Sequence, residues 1–275
     1  MQDIIIEILN SLDVKKDNKI LDFGCGDSSL VKFINENGYI CYGVDIQEDR
    51  INEAKKTFQE SSLNPDFLRV IQTKRDGYTI TSQDFKLPFE DDFFDCVVSF
   101  QVFEHIDNIQ KVIKELYRVI KVGGKVYLEF PSSYSIVEPH LEIPLVHYLR
   151  CSKFRENYIY FFAKLKKIDE PLKYAKVQNN YLKTSCFYRP HNEFDNLFKE
   201  GGFLKKDYSY ERRSLRMQKD KVFTLGELFL YKQRRYDNNS RLNSFGYCVK
   251  IYLKLHSFFY SMLTNRMLAF TKEAK

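Results

Sequence analysis

Apolar positions along the chain follow two rhythms. Ile4, Ile5, Ile8, Leu9 and Leu12 recur at helical spacing. They predict an N-terminal helix ending near Asp13, packed on the edge of a sheet or closing over a ligand site. Ile20, Leu21 and Phe23 form a short apolar run, as in a strand buried on both faces. Gly24-Cys25-Gly26 turns the chain. Ser28 to Asn37 returns to helical spacing through Leu30, Val31, Phe33 and Ile34, with Asp27 and Ser28 as N-cap candidates and Gly38 as the stop. Tyr39 to Val44 is the second predicted strand, with Asp45 at its carboxyl end. Ile51 to Gln59 predicts a further helix. Either Phe67–Ile71 or Tyr78–Thr81 fits the third strand. Leu87-Pro88-Phe89 breaks regular structure. Phe94 to Phe100 is a fourth strand, Asp107 to Ile120 an amphipathic helix, and Gly123-Gly124 turns into a fifth strand, Lys125 to Phe130, stopped by Pro131.

Strands alternating with helices at this rhythm predict an α/β fold with a doubly wound, mostly parallel sheet. Ligands of such sheets sit outside the carboxyl ends of the strands. Gly24, Asp45, Asp84 and Gln101 all fall at or just after carboxyl ends. The strand–glycine turn–helix–strand unit places an acidic residue about twenty positions after the turn, the spacing that reaches a ribose hydroxyl. Ser29 stands where the dinucleotide fingerprint has its third glycine. A pyrophosphate needs that glycine; a cofactor with a ribose but no phosphate, such as S-adenosylmethionine (SAM), does not.

The segments ILDFGCGDSS, QDFKLPFEDDFFDCVVSFQVFEHI and LYRVIKVGGKVYLEFP, together with Asp45, resemble the class I SAM-dependent methyltransferases, closest to the branch acting on small molecules, quinone precursors and sugars. The resemblance covers residues 15–131 and, less closely, HNEFDNLFKEGGF at 191–203. It implies a Rossmann-like methyltransferase fold of seven strands, with Leu204 to Glu211 as strand six and Met267 to Thr271 as a final antiparallel strand. The implied division is a SAM-binding half over 1–131, an insertion after strand five over 132–190, helix and strand six over 191–211, a second helical insertion over 212–263, and a last strand and tail over 264–275. Phe223–Gln233 and Ser244–Leu263 read as helices of the second insertion. The two insertions are expected to pack together as a helical cap.

The resemblance also implies roles. Gly24 and Gly26, with Cys25 between them, would let the backbone approach the methionine end of SAM. Asp22 would orient that loop and the cofactor's amino group. Asp45, followed by Ile46, would accept from the ribose hydroxyls, because a carboxylate offers two acceptor oxygens and no donor. Asp84 would accept from the adenine amino group, and the Phe85 N–H would donate to the ring. Gln101 would contact the methionine moiety. His105 is a candidate general base, or else lines the pocket or caps the next helix. In Glu138-Pro-His140-Leu-Glu142-Ile-Pro-Leu-Val-His147, His140 and His147 are candidate acceptor-facing residues. No metal is expected, because Pro139 and Pro144 break helical registry and no HxxxH stands on a helix.

Charge changes the picture of partners. Residues 1–131 carry a net −7 and residues 132–275 a net +13. The second half either meets something anionic or is a basic solvated surface. Arg212, Arg213, Arg216, Arg234 and Arg235 at a pocket entrance would suit an acidic acceptor. Lys250, Lys254 and the Phe258-Phe259-Tyr260 face would suit peripheral membrane contact and a lipid-linked one. Six scattered cysteines without CxxC spacing fit a reducing cytoplasm. MQDIIIEILNSLD lacks the features of a signal peptide, and no run of 18 apolar residues exists. The expected function is methyl transfer to a small-molecule, glycan or lipid-linked acceptor at oxygen. A SAM-binding partner subunit and an RNA methyltransferase are the competing functions, and no RNA-binding module is recognisable.

Overall fold

The computed structural model describes residues 2–72, 75–76, 79–80, 85–207 and 265–274. Seven strands form one sheet: β1 (Lys19–Phe23), β2 (Ile40–Asp45), β3 (Leu68–Val70), β4 (Phe94–Phe100), β5 (Ile120–Pro131), β6 (Phe203–Asp207) and β7 (Asn265–Lys272), in the order β6-β7-β5-β4-β1-β2-β3. β7 runs antiparallel to both neighbours, β5 and β6, and every other pairing is parallel. The order reverses beside β1, so the carboxyl ends of β1 and β4 flank the switch point at which ligands of such sheets bind.

The alternation of side chains along each strand divides the core. Ile20, Cys96, Tyr127 and Ala269 face one side, against helices α1 (Gln2–Ser11), α2 (Ser29–Glu36) and α3 (Glu48–Glu60). Leu21, Val97, Leu128 and Phe270 face the other, against α4 (Ile109–Val119) and α7 (His191–Glu200). The N-terminal helix therefore covers a sheet face and not an edge: Ile5, Ile8 and Leu9 are fully buried there.

Several boundaries differ from the sequence expectation for local reasons. The third strand is the run around Leu68–Val70. Tyr78 and Thr81 lie outside the described residues, and between them Thr79–Ile80 pairs with Arg75–Asp76 in a separate short hairpin. Ser28 does precede α2, but its φ of 60° is left-handed and its hydroxyl meets the Cys25 thiol at 3.4 Å; it makes no side-chain cap bond. Asp27 Oδ1 instead accepts from the Ser29 N–H at 3.0 Å, the length of an ordinary bond. α4 starts at Ile109, because the Asn108 side chain caps it by accepting from Lys111 N. β5 begins at Ile120, directly after α4. Gly123-Gly124 lies within it, where Phe94 pairs with Ile120 and Cys96 already with Lys125. The extra residues form a bulge, so the glycines kink a strand and do not precede one.

The stretch between β5 and α7 carries a small core of its own. A hairpin of Val137–Glu138 with Ile143–Pro144 and helices α5 (Ser152–Leu165) and α6 (Pro171–Thr184) bury Leu141, Ile143, Val146, Ile159, Ala175 and Leu182 together. Its exit is tied back to the turn after β4. Phe187 N donates to Glu104 O at 2.6 Å, and Arg189 Nη2 donates to the Ile106 and Asp107 carbonyls at 2.7 and 2.6 Å. The second expected insertion, 212–263, and the arginine, lysine and aromatic positions within it lie outside the described residues, as does the remainder of strand six after Asp207. Among the described residues no helix is long and apolar enough to cross a membrane.

Phe198 joins α7 to the sheet. It is fully buried and stacks on Phe270 of β7, with ring centroids 4.1 Å apart and an interplanar angle of 16°. Phe198→Ala is expected to lower the unfolding free energy by about 3–5 kcal/mol. Phe154→Ala, on the exposed side of α5 (59% exposed), is expected to change it by less than about 0.5 kcal/mol. Urea titration of both variants measures the difference; equal losses would contradict the packing described.

Candidate active site at the carboxyl ends of the strands

The chain leaves β1 through a turn that is fastened to β2. The N–H groups of Gly24 and Cys25 both donate to the Val44 carbonyl, at 2.8 and 3.0 Å. Gly24 and Gly26 have φ of +82° and +54°, where side chains are disfavoured. The two glycines differ in surroundings. A Cβ on Gly24 would lie 2.3 Å from Val102 Cγ2, so Gly24 is needed for packing against the segment after β4. A Cβ on Gly26 would meet only Arg50 Nη1, at 3.8 Å. Of the two positions, Gly26 is the one that leaves space for a ligand to approach the backbone.

Asp45 ends β2 and is 7% exposed. Its Oδ2 accepts from Gly26 N and its Oδ1 from Gln47 N, both at 2.9 Å. Each oxygen of a carboxylate has two acceptor directions, so each keeps one after these bonds. The aspartate thereby locks the glycine turn to the start of α3 and still presents two acceptors, the pattern that suits a vicinal diol. Ile46, next along, packs against the core of the α4 side. Asp22, in β1, is 3% exposed, and burial, reinforced by the neighbouring charges of Asp45 and Asp27, raises its pKa to about 7. Burial also raises the Cys25 thiol well above its ordinary value, which keeps it protonated and makes it a packing group and not a nucleophile.

On the other side of the switch point, Ser99 Oγ donates to Phe23 O at 2.8 Å and fixes the ends of β4 and β1 relative to each other. Gln101 follows with a left-handed φ of 56°, its N–H donating to Glu129 O at 2.8 Å. Such strain in a non-glycine residue is held only where the surroundings over-determine it, and it recurs at functional sites. Phe85 is buried at 6% exposure in an irregular segment that is nevertheless fixed. Arg118 donates to the Leu87 and Phe89 carbonyls at 3.0 and 2.8 Å, Glu115 Oε2 accepts from Leu87 N at 2.8 Å, and Arg69 bonds the Pro88 carbonyl. Asp84 lies outside the described residues.

The three histidines singled out from the sequence converge. Glu104 and His105 belong to a short 3-10 turn, Phe103–His105, separate from α4. The His105 and His140 rings lie 5.1 Å apart, and the Tyr188 ring lies 6.5 Å from His140 and 5.3 Å from His147. Glu138 organises the group. Its Oε1 accepts from His140 Nδ1 at 2.7 Å and from the Tyr188 hydroxyl, and its Oε2 accepts from the backbone of His140 and Leu141 at 3.0 and 2.6 Å. Burial alone would raise its pKa, but these donors hold it below the ordinary carboxylate value. Burial works against the charge on His140 too, and the bond to Glu138 overcomes it, so that pKa is raised. Burial lowers His105 and His147. At His147 the backbone of Ser133 and Ser135 works against that burial. Tyr181, Cys186 and Tyr188 complete the cluster, and sequence reasoning did not find them. The signal was the density of polar and aromatic residues in NNYLKTSCFYRP, just ahead of Pro190.

Residues 21–128 match the sequence profile of the family described as Methyltransferase domain. Among curated proteins, the chain is similar to the ubiquinone biosynthesis O-methyltransferase, mitochondrial, of Rattus norvegicus, 31% identical over 40% of this chain and 30% of that protein. It is also similar to the demethylmenaquinone methyltransferase of Bacillus mycoides (strain KBAB4), 30% identical over 44% of this chain and 47% of that one. The chain spans less than half the length of these curated relatives. Among solved structures, a provisionally designated sarcosine dimethylglycine methyltransferase from Galdieria sulphuraria covers 99% of this chain and 85% of its own at a TM-score of 0.52. At 17% identity that likeness is one of fold.

The raised pKa of Asp22 has a consequence for stability. Its folded value, about 7, exceeds the ordinary 3.8, so the native state holds the proton more tightly than the unfolded chain. Its contribution to stability is present in full below about pH 4 and is lost as the pH rises through about 7. Urea midpoints of the ligand-free protein measured across this window are expected to fall with pH, and Asp22→Asn is expected to flatten that fall. An unchanged slope in the variant would contradict the assignment.

Proposed function

We propose that the chain is a SAM-dependent methyltransferase acting on a small-molecule acceptor. The observation that carries this reading is the Asp45 carboxylate. It joins the open glycine turn at Gly26 to the start of α3 and keeps one acceptor direction on each oxygen. A ribose diol fits those two acceptors, and the bare backbone at Gly26 fits the amino-acid end of the cofactor. When bound, SAM supplies an activated methyl group on a sulfonium. The chain's own part is to place it. Asp22 and the turn hold the amino-acid end, Asp45 the ribose, and Phe85 with its pinned segment the adenine. Gln101, in its fixed left-handed conformation, borders the methyl side. Most of the acceleration in such a transfer comes from alignment and exclusion of water.

For the acceptor, the proposed methylated atom is an oxygen. Phe103, Phe130, Phe187 and Tyr188, with Glu104 and Arg189, line a small crevice beside the turn after β4. Aromatic walls with a few polar groups suit an apolar, ring-bearing or lipid-linked acceptor more than a nucleic acid. The names of the curated relatives, which concern quinone methylation, support the same class. His147 is the histidine suited to relieve the acceptor of a proton. Burial lowers its pKa, which favours the neutral imidazole.

Calorimetry of the full chain with SAM and S-adenosylhomocysteine tests the cofactor claim. Both are expected to bind. Asp45→Asn is expected to weaken binding by about 1–3 kcal/mol, the cost of replacing a buried acceptor by a donor. Gly26→Val is expected to abolish binding, since a side chain there fills the open face. Methyl-labelled SAM incubated with a cell extract is then expected to deliver label to the low-mass organic fraction. Label confined to RNA or protein, or no binding of either ligand by the folded protein, would refute the reading.

A further inference from the structure

Three side chains able to ligate a transition metal meet beside the turn after β4. The ligand atoms of His105, His140 and Cys186 lie within 4.8 Å of one another. Glu104 stands next to them. It is 2% exposed, its Oε1 is 3.9 Å from His105 Nε2, and neither of its carboxylate oxygens has a hydrogen-bond partner among the described residues. A buried carboxylate with no donor is costly unless something cationic completes it. The histidines are oriented for the purpose. His105 Nδ1 lies 2.6 Å from the Ser185 carbonyl, an acceptor only, so Nδ1 carries the proton and Nε2 the lone pair. His140 Nδ1 lies 2.7 Å from Glu138 Oε1, which places its lone pair on Nε2 by the same argument. A carbonyl on one imidazole and a carboxylate on the other are the outer partners that hold metal-binding histidines.

We propose that Glu104, His105, His140 and Cys186 bind a zinc-type divalent ion that clamps the segment between β5 and α7 onto the turn after β4. The ligands come from three separate stretches: the 3-10 turn, the Val137–Pro144 hairpin and the chain just after α6. One thiolate, two imidazoles and one carboxylate suit zinc and exclude magnesium, which takes oxygen donors and water. A tetrahedral zinc ion with bonds of about 2.0–2.3 Å sets its nitrogen and sulfur ligands about 3.3–3.6 Å apart, so side-chain movements of about an ångström close the set. Cys186 loses its thiol proton to solvent as the sulfur–metal bond forms. The clamp lies where Phe187 and Arg189 already tie the same two regions through backbone carbonyls, so it reinforces an existing contact. This inference is independent of the methyl-transfer reading, because metal uptake is read without SAM.

The probe is Co²⁺ added to the full chain after chelator treatment. The expected result is uptake of one equivalent, a near-ultraviolet thiolate-to-cobalt charge-transfer band, and displacement of that band by Zn²⁺. Cys186→Ser is expected to remove the band. His140→Ala, whose side chain is 23% exposed and so tolerates truncation, is expected to weaken Co²⁺ affinity about tenfold or more, and Glu138→Gln, through the orientation of His140, about 10–100-fold. Absence of stoichiometric uptake would overturn the proposal. So would a band that survives Cys186→Ser, which would assign it to another cysteine. Should Cys186→Ser fail to fold, unchanged Co²⁺ affinity in His140→Ala overturns the proposal by itself.

Discussion

Two backbone N–H groups, those of Gly26 and Gln47, end on the oxygens of one buried carboxylate, Asp45. The bonds join the loop after β1 to the loop after β2, and both loops lie at carboxyl ends of the parallel strands. Without that carboxylate the turn 24–26 would be tied to β2 through its bonds to Val44 alone, and the start of α3 would lose its tie to the turn. In the proposed function, shaping the site and recognising a diol fall to the same side chain. Substitution of Asp45 therefore acts on the loop as well as on any ligand, and Asn is a cleaner probe than Ala because it keeps one acceptor.

Around that point the structure spends buried polar chemistry where a surface would have been simpler. Asp22 is enclosed beside Asp45, Glu104 is enclosed without a donor among the described residues, and Gln101 is held in a left-handed conformation. Buried polar groups and strained backbone of this kind recur at functional sites. The hydrophobic framework that tolerates them lies on both faces of the sheet, with the Phe194–Phe198–Phe270 stack on one and Ile5, Ile8 and Leu9 on the other.

The legible parts of the sequence were those set by local spacing. Gly24, Gly26 and Asp45 could be read because a strand, a turn, a helix and a strand follow one another with no intervening contact to resolve. The parallel sheet could be read because its apolar runs are short and evenly spaced, and β7 because of the family resemblance. What could not be read depends on contacts between distant residues. Nothing near Gly24 announces that Val102 packs on it. Nothing near Phe85 announces the Arg118 and Glu115 bonds that hold its segment. The glycine pair 123–124 read as a turn, whereas pairing with β4 absorbs it as a bulge. Ser28 read as a cap, yet its backbone is left-handed. The histidines were visible one by one, but their convergence with Glu138, Cys186 and Tyr188 depends on how the segment between β5 and α7 folds back.

The central claim is that the carboxyl ends of β1 and β2 hold a ribose through Asp45. A crystal structure of the full chain with S-adenosylhomocysteine tests it most directly. Both ribose hydroxyls are expected within hydrogen-bonding distance of the Asp45 carboxylate, with the homocysteine end over Gly26. A ligand bound elsewhere, or a ribose held by other residues with Asp45 bonded only to Gly26 and Gln47, would contradict it.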